Sequence, residues 1–451
     1  MDMRYRFRPT RLQVRPLAAC VAAFFSVMAP SAIANIVPVT TCIDSGAGSL
    51  RAAVAAANDN DIVDMSGLSC SVITLTTAEL LVSQTVLTLQ GPGSDHLRID
   101  GNHAHRVLHG SVLRIYDLSI ANGYAYSHSG TAAGGCIYSK EAYLTNTKVS
   151  GCIAQTYDGQ AKGGGVYAGF ALVMSNSTIS SSAARCYSGG TASGGGARVG
   201  GFDISISSID SNAAYCRPGG TAIAGGVYAI GFGRFSGSTI SNNSSSGNVG
   251  GIEILHDPLD SSQLGSLLDS TISGNSAEGF FGGMVSYAAR TNVYNSTIAF
   301  NSAGEGSPLI GIYRAPGLHV ANYELRLQGA LLANNTYGLL AAENDFSSAS
   351  TTITAQSVHN LIRVATSPVP AGTIAGACPL LGALRNNGGA TKTHALLSHS
   401  PAIDAGNNVM PLANDQRGPS FVRVSGIAPD IGAYEMQQAD VVFNAAFDAC
   451  P

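Results

Sequence analysis

The segment STISSSAARCYSGGTASGGG, residues 177–196, is followed thirty residues later by SSIDSNAAYCRPGGTAIAGG, residues 207–226. Both segments place a cysteine, Cys186 or Cys216, at the same distance before paired glycines. Self-similarity at a period of this length is typical of solenoids, in which each repeat packs only against its neighbours. The two segments are therefore interpreted as consecutive coils of one array.

Aligning the paired glycines extends the array in both directions. The residue after each pair is small or apolar: Cys136, Val166, Ala197, Val227, Ile252 and Met284. A second apolar column lies in the STIS-like elements: Val149, Ile179, Ile209, Ile240, Ile272 and Ile298. Both columns are predicted to point inward.

A polar column accompanies the apolar ones. Three residues after the second column stand four asparagines: Asn212, Asn243, Asn275 and Asn301. The repeats are rich in Ser, Thr, Val, Ile and Gly, which favours strands over helical repeats. Coils stacked at about 4.8 Å bring identical asparagines into hydrogen-bonding distance, as in a cross-β ladder. The sequence predicts an all-β parallel β-helix.

Composition narrows the possible functions. Of the 451 residues 54 are glycine and none is tryptophan, 45% are hydrophobic and 12% charged, and the formal net charge is −4. High hydrophobicity with low charge argues against disorder. No run of Lys or Arg follows the N-terminus, so no nucleic-acid partner is expected.

The N-terminus is typical of an export signal. Several arginines precede the apolar run PLAACVAAFFSVMAP, and AIA at residues 32–34 supplies the small-residue cleavage pattern. We expect cleavage before Asn35. LAAC, ending at Cys20, resembles a lipoprotein box, but the apolar run follows it rather than preceding it. No later apolar run is long enough to span a membrane as a helix, so no transmembrane segment is expected in the mature chain.

The cysteines left after cleavage are even in number, which in an exported chain favours disulfides over metal. Cys186 and Cys216 each lie seven residues past the isoleucine column, so they should face each other on adjacent coils; two free thiols are the alternative. Cys136 and Cys152 could form a bond within one coil. Cys42 and Cys70 are expected to join the N-terminal cover to the first coil. The remaining disulfide cysteines are Cys378 and Cys450.

Both open ends of a β-helix need a cover. GAGSLRAAVAAANDND predicts a helix capped by Ser49, with one apolar face made by Leu50, Ala53, Val54 and Ala57. Followed by DIVDMSG and ITLTTAELLV, this start resembles that of many exported bacterial β-helix proteins. The resemblance to the pectin-lyase-like fold implies a right-handed β-helix.

The C-terminal part carries a second resemblance. NNGGATKTHALLSHSPAIDAGNN, DQRGP and DIGAYE, in this order, resemble the choice-of-anchor Q domain, with Lys392 where that pattern usually has proline. The GG(V/I) and NSA elements before it resemble polymorphic outer-membrane protein repeats more loosely. The predicted organisation is signal peptide 1–34, cap and first coil 35–70, parallel β-helix 71–376, choice-of-anchor Q-like domain 377–437 and tail 438–451.

Two residue groups are considered as metal sites. His103, His105 and His109 would share one face of a strand, but no acidic or cysteine ligand lies close by in the sequence, so we favour ordinary surface histidines and predict no cofactor. The second group combines an arginine with four carboxylates, which could hold calcium or a carbohydrate or simply fix a loop-rich domain by pairing; we favour pairing. Its members are Asp404, Asp415, Arg417, Asp430 and Glu435.

Two functions are kept. The first is surface contact, adhesion or glycan binding by an exported monomer at the cell envelope or outside the cell. Recurring tyrosines could stack on sugars or simply pack along the outside: Tyr138, Tyr143, Tyr167, Tyr228 and Tyr287. The second is a lyase or hydrolase for an acidic polysaccharide, for which calcium is the one ion considered. Its candidate residues are Arg234, Glu253, His256, Asp257, Asp260 and Arg290. We favour contact over catalysis, because the repeats contain few titratable groups.

Overall fold

The structure is a computed structural model that describes residues 34–256, 264–304, 316–321, 324–349, 351–408, 410–438 and 440. The predicted signal peptide before Ala34 therefore lies outside the described residues, as do Asp257, Asp260 and Cys450. The described chain is all-β with one short helix, and its strands pair in parallel from coil to coil. This confirms the predicted parallel β-helix.

Within the residues that the structure describes, four sheets run along the coils, and their strands are counted over the same residues. The main sheet has nineteen strands: Ile36–Pro38, Ile62–Asp64, Leu80–Leu81, Val86–Gln90, Leu108–His109, Val112–Tyr116, Ile137–Thr145, Val166–Ser175, Ala197–Ser205, Val227–Ile230, Gly233–Ser236, Ile252–Leu255, Leu264–Leu268, Met284–Ser286, Arg290–Tyr294, Leu318–Ala321, Glu324–Gln328, Phe346–Ala349 and Thr352–Ile353. The second sheet has twelve: Val72–Thr74, Arg98–Asp100, Ser119–Ala121, Lys148–Ser150, Thr178–Ser180, Ser208–Asp210, Thr239–Ser241, Thr271–Ser273, Thr297–Ala299, Leu331–Ala333, Leu361–Ile362 and Ile374–Ala375.

The other two sheets are smaller. The third sheet has nine strands: Tyr124–Ser127, Ile153–Thr156, Ala183–Cys186, Ala213–Cys216, Ser244–Ser245, Ser276–Ala277, Ser302–Ala303, Thr336–Tyr337 and Ala342–Glu343. The fourth sheet has four: Thr131–Ala133, Gln160–Lys162, Thr191–Ser193 and Thr221–Ile223.

The predicted apolar columns are confirmed, with one correction. Val166, Ala197, Val227, Ile252 and Met284 pair in register and are buried, as is the whole isoleucine column. The assignment of Cys136 to the first column is wrong, because the partner of Val166 is Ile137. Cys136 takes the place that Gly165 fills in the next coil, where the glycines number three rather than two.

The asparagine ladder is present and buried. Asn243 Oδ1 accepts hydrogen bonds from the backbone N–H and the side-chain amide of Asn212, both at 3.0 Å, and Asn275 and Asn301 continue the pattern. The glycine beside the ladder makes room for it, since a Cβ on Gly226 would lie 3.2 Å from Asn243 Cγ. A parallel ladder of hydroxyls, absent from the sequence prediction, accepts backbone N–H groups at Ser177, Ser207, Ser238, Ser270 and Ser296.

The N-terminal cover forms as predicted. A helix spans Leu50–Ala56, and the Ser49 side chain accepts a hydrogen bond from the Ala52 N–H. The predicted apolar face, with Leu50 at its start, is buried against the first coils. A disulfide joins Cys42 to Cys70, and another joins Cys136 to Cys152. Cys378 is also disulfide-bonded.

Four consecutive coils carry an excursion that we call the fin, made of residues 124–133, 153–162, 183–193 and 213–223. In each, a strand of the third sheet turns back into a strand of the fourth sheet, and the two sheets enclose a core of their own. Only small side chains fill this core: Ala161, Ala184, Cys186, Ala192, Ala214, Cys216 and Ala222. The predicted Cys186–Cys216 disulfide is confirmed and lies there. The sequence repeat of residues 177–196 and 207–226 therefore contains two layers of the fin.

The C-terminal segment, residues 377–437, is loop-rich and packs along the side of the second sheet. Thr239, Thr271 and Thr297 stand in register on successive coils. Gln416 donates to Thr239 Oγ1 at 2.9 Å and accepts from Thr271 Oγ1 at 2.6 Å, and the Ala433 N–H donates to Thr297 Oγ1. The segment thus covers the later coils laterally. No helix among the described residues is long and apolar enough to cross a membrane.

Candidate functional site

One outward position of the main sheet aligns along successive coils, and we call it the outward column. Its members follow one another in register: His109, Tyr138, Tyr167, Arg198, Tyr228, Glu253, Val285 and His319. Side chains alternate along a strand, and the neighbouring positions at Ile137, Val166 and Val227 are buried. The column therefore lies on the outer surface of the β-helix.

The first half of the outward column is aromatic and basic. The His109 ring packs edge-on against Tyr138 with centroids 4.7 Å apart, and Tyr138 stacks on Tyr167 at 5.1 Å with planes inclined by 12°. The Arg198 guanidinium lies 5.2 Å from the centre of the Tyr228 ring. Because coils repeat at about 4.8 Å, these groups form a continuous column in which Tyr138 and Tyr167 cover one face of each other and Arg198 covers one face of Tyr228.

The fin borders this strip. The last position of each fourth-sheet strand holds Ala133, Lys162, Ser193 and Ile223, in register. The chain then turns sharply at a residue with positive φ, such as Gly163 at 62°. A Cβ on Gly163 would lie 2.0 Å from the Val166 carbonyl oxygen, so the turn requires glycine. The turn connects the base of the fin to the main-sheet strand that carries the outward column, and we call the surface between the two the groove.

Two cations share the centre of the groove. Burial lowers the pKa of Lys162, and the positive charge of Arg198 lowers it further. Arg198 Nε is buried, and no described residue accepts a hydrogen bond from it. No ion pair within the described part of the chain joins Lys162 or Arg198 to a carboxylate. A buried donor without a partner, next to a second cation, is a suitable place for an anion.

Glu253 follows Tyr228 in the column and lies in different surroundings. Burial raises the pKa of Glu253 to about 7, and its Oε2 has no hydrogen-bond partner among the described residues. Tyr228 and Tyr287 lie close enough for its charge to raise their pKa values, after the larger effect of burial. Both tyrosines pack against an apolar cluster on the outside of the coils: Ala224, Val249, Phe281 and Val285. Such surroundings keep a carboxyl group protonated to near-neutral pH.

The structure does not bring the predicted arginines to Glu253. Arg234 lies six residues past Tyr228 on the same coil and donates to both carboxylate oxygens of Asp203, at 3.0 and 2.9 Å. Arg290 donates to Glu324 at 2.8 Å. Both arginine side chains are about half exposed, at 55% and 54%. His256 follows the strand Ile252–Leu255.

The five predicted tyrosines divide into three places. Tyr138, Tyr167 and Tyr228 belong to the outward column, and Tyr287 lies near Glu253. Tyr143 stands in a separate column, where its hydroxyl donates to Glu141 at 2.8 Å and Arg114 lies over its ring. All five pack along the outside of strands or turns, and three of them form one surface.

The histidine cluster is not formed on one strand, so the predicted shared face is wrong. His103 and His105 lie in a turn, where His103 has a φ of 52°. His109 lies on a strand and contacts Glu79 Oε1 through Nδ1 at 3.2 Å. Asn102 and His103, both with positive φ, form a turn after Gly101, where the alternation of histidines had predicted a strand. Within the described ranges, no group of three or more His, Cys, Asp or Glu residues is placed to hold a metal ion.

The C-terminal carboxylates serve the loop backbone. Arg417 is buried between the rings of Phe421 and Tyr434, each centred 3.9 Å from its guanidinium, and pairs with Asp415 at 2.8 Å. Glu435 accepts the backbone N–H groups of Ser425 and Asp430. Asp430 and Asp404 likewise accept backbone N–H groups from neighbouring loops. The structure therefore contains the pairing of Arg417 with a carboxylate that we favoured for this set.

Sequence reasoning missed Lys162, Arg198 and the column itself. The signal was available for Arg198, which occupies the same repeat position as Tyr167 and Tyr228. No pattern pointed to Lys162, because its role depends on how the fin folds back onto the main sheet.

Comparisons with known proteins add little beyond the fold. No family model and no curated protein matches the chain. Among solved structures it is similar to the crystal structure of pectate lyase Pel9A, with 13% identity over 86% of this chain and 90% of that chain, and a TM-score of 0.34. So distant a likeness carries no argument about activity. The resemblance to the choice-of-anchor Q domain stays a prediction.

Proposed function

We propose that the protein binds an acidic polysaccharide along the outward column, at the cell envelope or outside the cell. The single observation that carries this proposal is the unpaired cationic centre of Arg198 and Lys162 between the aromatic members of the column. The export signal predicted from sequence and the three disulfides support an oxidising location.

The chemistry of the groove favours a sugar chain that carries carboxylates. Tyr167 and Tyr228 flank Arg198 in the column, and each has one ring face covered, by Tyr138 and by Arg198 respectively, so a sugar would contact their ring edges and hydroxyl groups. Arg198 Nε and the Lys162 ammonium can donate to a uronate carboxylate, and hydrogen bonds between charged partners are the strong ones. Since the column places a side chain at this position on every coil, the groove suits an extended chain rather than a single sugar.

The test is binding of acidic and neutral polysaccharides to the protein and to Arg198→Met. We expect polygalacturonate or alginate to bind the parent, and the variant to bind about tenfold to a hundredfold more weakly, as for loss of a charge-assisted hydrogen bond of about 1.5–3 kcal/mol. Isothermal titration calorimetry at two salt concentrations measures this, because an ionic contact weakens with salt.

Lys148→Ala is the matched control, since Lys148 is an exposed cation on the second sheet that already pairs with Asp95. It should leave binding unchanged. Equal binding by the parent and Arg198→Met, or equal binding of neutral and acidic chains, would contradict the proposal.

A second candidate, polysaccharide elimination, is favoured by Glu253 alone. A carboxyl group with a pKa of about 7 can act as a base near neutral pH. With a uronate held at Arg198, Glu253 would take the proton from C5, the C4–O4 bond would break, and the Tyr228 hydroxyl would protonate the leaving oxygen. The product is an unsaturated uronate that absorbs ultraviolet light.

This candidate has its own test. Incubation with pectate, alginate or chondroitin should generate ultraviolet absorbance if the protein is a lyase, and Glu253→Gln should abolish it while retaining binding. Binding without any release of unsaturated sugar would agree with polysaccharide binding and would contradict elimination.

A further inference from the structure

The tip of the fin carries a second set of stacked side chains. In register on its four layers stand His128, Tyr157, Tyr187 and Arg217. The rings of His128 and Tyr157 stack at 5.0 Å with planes 4° apart, and the Arg217 guanidinium lies 4.8 Å from the centre of the Tyr187 ring. We call this set the fin tip.

The outer face of the third sheet extends the fin tip. The column there runs through Tyr126, Gln155, Arg185 and Tyr215, which pair in register. Tyr126 and Tyr215 are 54% and 43% exposed. Tyr126 contacts His128 at 3.3 Å, and the Tyr187 hydroxyl donates to Gln155 at 3.4 Å. The tip and the outer face thus form one connected polar-aromatic surface.

The core and the disulfide of the fin support this surface. Behind it lies the alanine core of the fin, and the Cys186–Cys216 disulfide joins two of its layers directly before Tyr187 and Arg217. A surface fixed in this way loses little conformational entropy when a ligand binds.

We propose that the fin tip is a second binding site for acidic polysaccharide, separate from the outward column. Its exposed large apolar side chains are all tyrosines, namely Tyr126, Tyr157 and Tyr215, so it offers ring edges and hydroxyl groups but no aliphatic patch of the kind that a protein partner would bury. Its cations are Arg185 and Arg217, and neither forms an ion pair within the described ranges. Asp158 is the one carboxylate among the turn residues of the tip.

The ligand class is chosen on charge and geometry together. Two arginines against one aspartate favour an anionic partner, and aromatic side chains repeated at the coil spacing favour a chain of similar units over a compact ligand. The proposal uses the ligand class of the proposed function but none of its residues, so each of the two can fail while the other stands.

The experiment compares two double variants in the full-length protein with short oligogalacturonates as the probe. Tyr157→Ala with Tyr187→Ala removes the fin tip, and Tyr138→Ala with Tyr167→Ala removes the outward column. Calorimetry should give two sites per chain for the parent and one for each double variant. For long polygalacturonate, loss of the tip should weaken apparent binding about tenfold or more, because the two sites share one chain.

Controls separate binding from folding. Tyr157→Phe keeps the ring and should retain both sites, and Tyr294→Ala removes a tyrosine from a later coil without effect. Because the chain has no tryptophan, tyrosine fluorescence reports the ligand directly, and the fin-tip variant should lose part of that response.

Three outcomes would overturn the proposal. The first is a single site in the parent that the fin-tip variant retains in full. The second is a fin-tip variant that binds like the parent while the outward-column variant loses all binding. The third is self-association of the parent through the fin, seen by sedimentation and abolished by Tyr157→Ala with Tyr187→Ala.

Discussion

The coils that carry the fin and the plain coils that follow them, residues 239–303, share one interior but differ in how they are joined. Plain coils are joined by buried amides such as Asn243 and Asn275. Fin coils contain two disulfides, of which Cys136–Cys152 closes within one coil and Cys186–Cys216 joins two coils. Cys152 even occupies the place in the repeat where Asn212 begins the ladder.

Their outer surfaces differ more. The second-sheet face of the plain coils is covered by the C-terminal segment through Thr239, Thr271 and Thr297. In the part of the chain that the structure describes, the C-terminal segment does not cover the fin, and tyrosines such as Tyr126, Tyr157 and Tyr215 are exposed there. The repeat therefore specifies the interior of the β-helix, whereas the fin and the C-terminal segment determine which part of the outer surface is available for binding.

The largest expected effect concerns the fin disulfide. Cys186→Ala with Cys216→Ala removes a bond that spans 30 residues, and a loop of that size predicts a loss of about 3–4 kcal/mol on the chain-entropy account. Hydrogen exchange should show faster exchange in residues 183–223 and little change in residues 239–303. Equal acceleration in both regions would mean that the fin is not an independent element.

A smaller effect is expected in the plain coils. Asn243→Ala leaves the buried amide of Asn212 without its acceptor, which should cost about 1–3 kcal/mol in urea unfolding. The matched variant is Gln160→Ala, an exposed amide in the fin, which should change stability by less than about 0.5 kcal/mol. If the two variants unfold alike, the ladder is exposed in solution.

The smallest effect concerns pH and lies at the boundary between the two regions. Because burial raises the pKa of Glu253 to about 7 from 4.5, the folded protein binds its proton more tightly than the unfolded chain does. The stabilising contribution of the protonated group is fully present below pH 4.5 and is lost as pH rises through 7.

Glu253→Gln should remove this dependence. The parent should lose on the order of 1–2 kcal/mol between pH 6 and 8 relative to the variant, measured by urea unfolding at both pH values. Parallel pH profiles for the two proteins would show that Glu253 is solvated.

The interior could be predicted from the sequence because burial constrains it at every coil. The positions of Ile209 and Asn243 follow from the repeat alone, and so does the Cys186–Cys216 bond. The error at Cys136 arose from counting glycines, since a cysteine replaces the third glycine in that coil.

The outside could not be predicted in the same way. Lys162 reaches the groove only because the fin folds back at Gly163, and alanine-rich segments such as 183–193 give no apolar alternation strong enough to predict two facing strands. Arg234 and Glu253 belong to one charge-rich stretch of the sequence. Glu253 pairs in register with Tyr228, however, and Arg234 lies six residues past Tyr228 on its coil, a separation that clustering of charges in the sequence does not predict.

The most direct test of the central claim is a crystal structure of the protein with an acidic oligosaccharide. We expect sugar rings to lie along Tyr138, Tyr167 and Tyr228, with a carboxylate accepting a hydrogen bond from Arg198 Nε. An ordered oligosaccharide that binds elsewhere and leaves Arg198 Nε without a partner would contradict it.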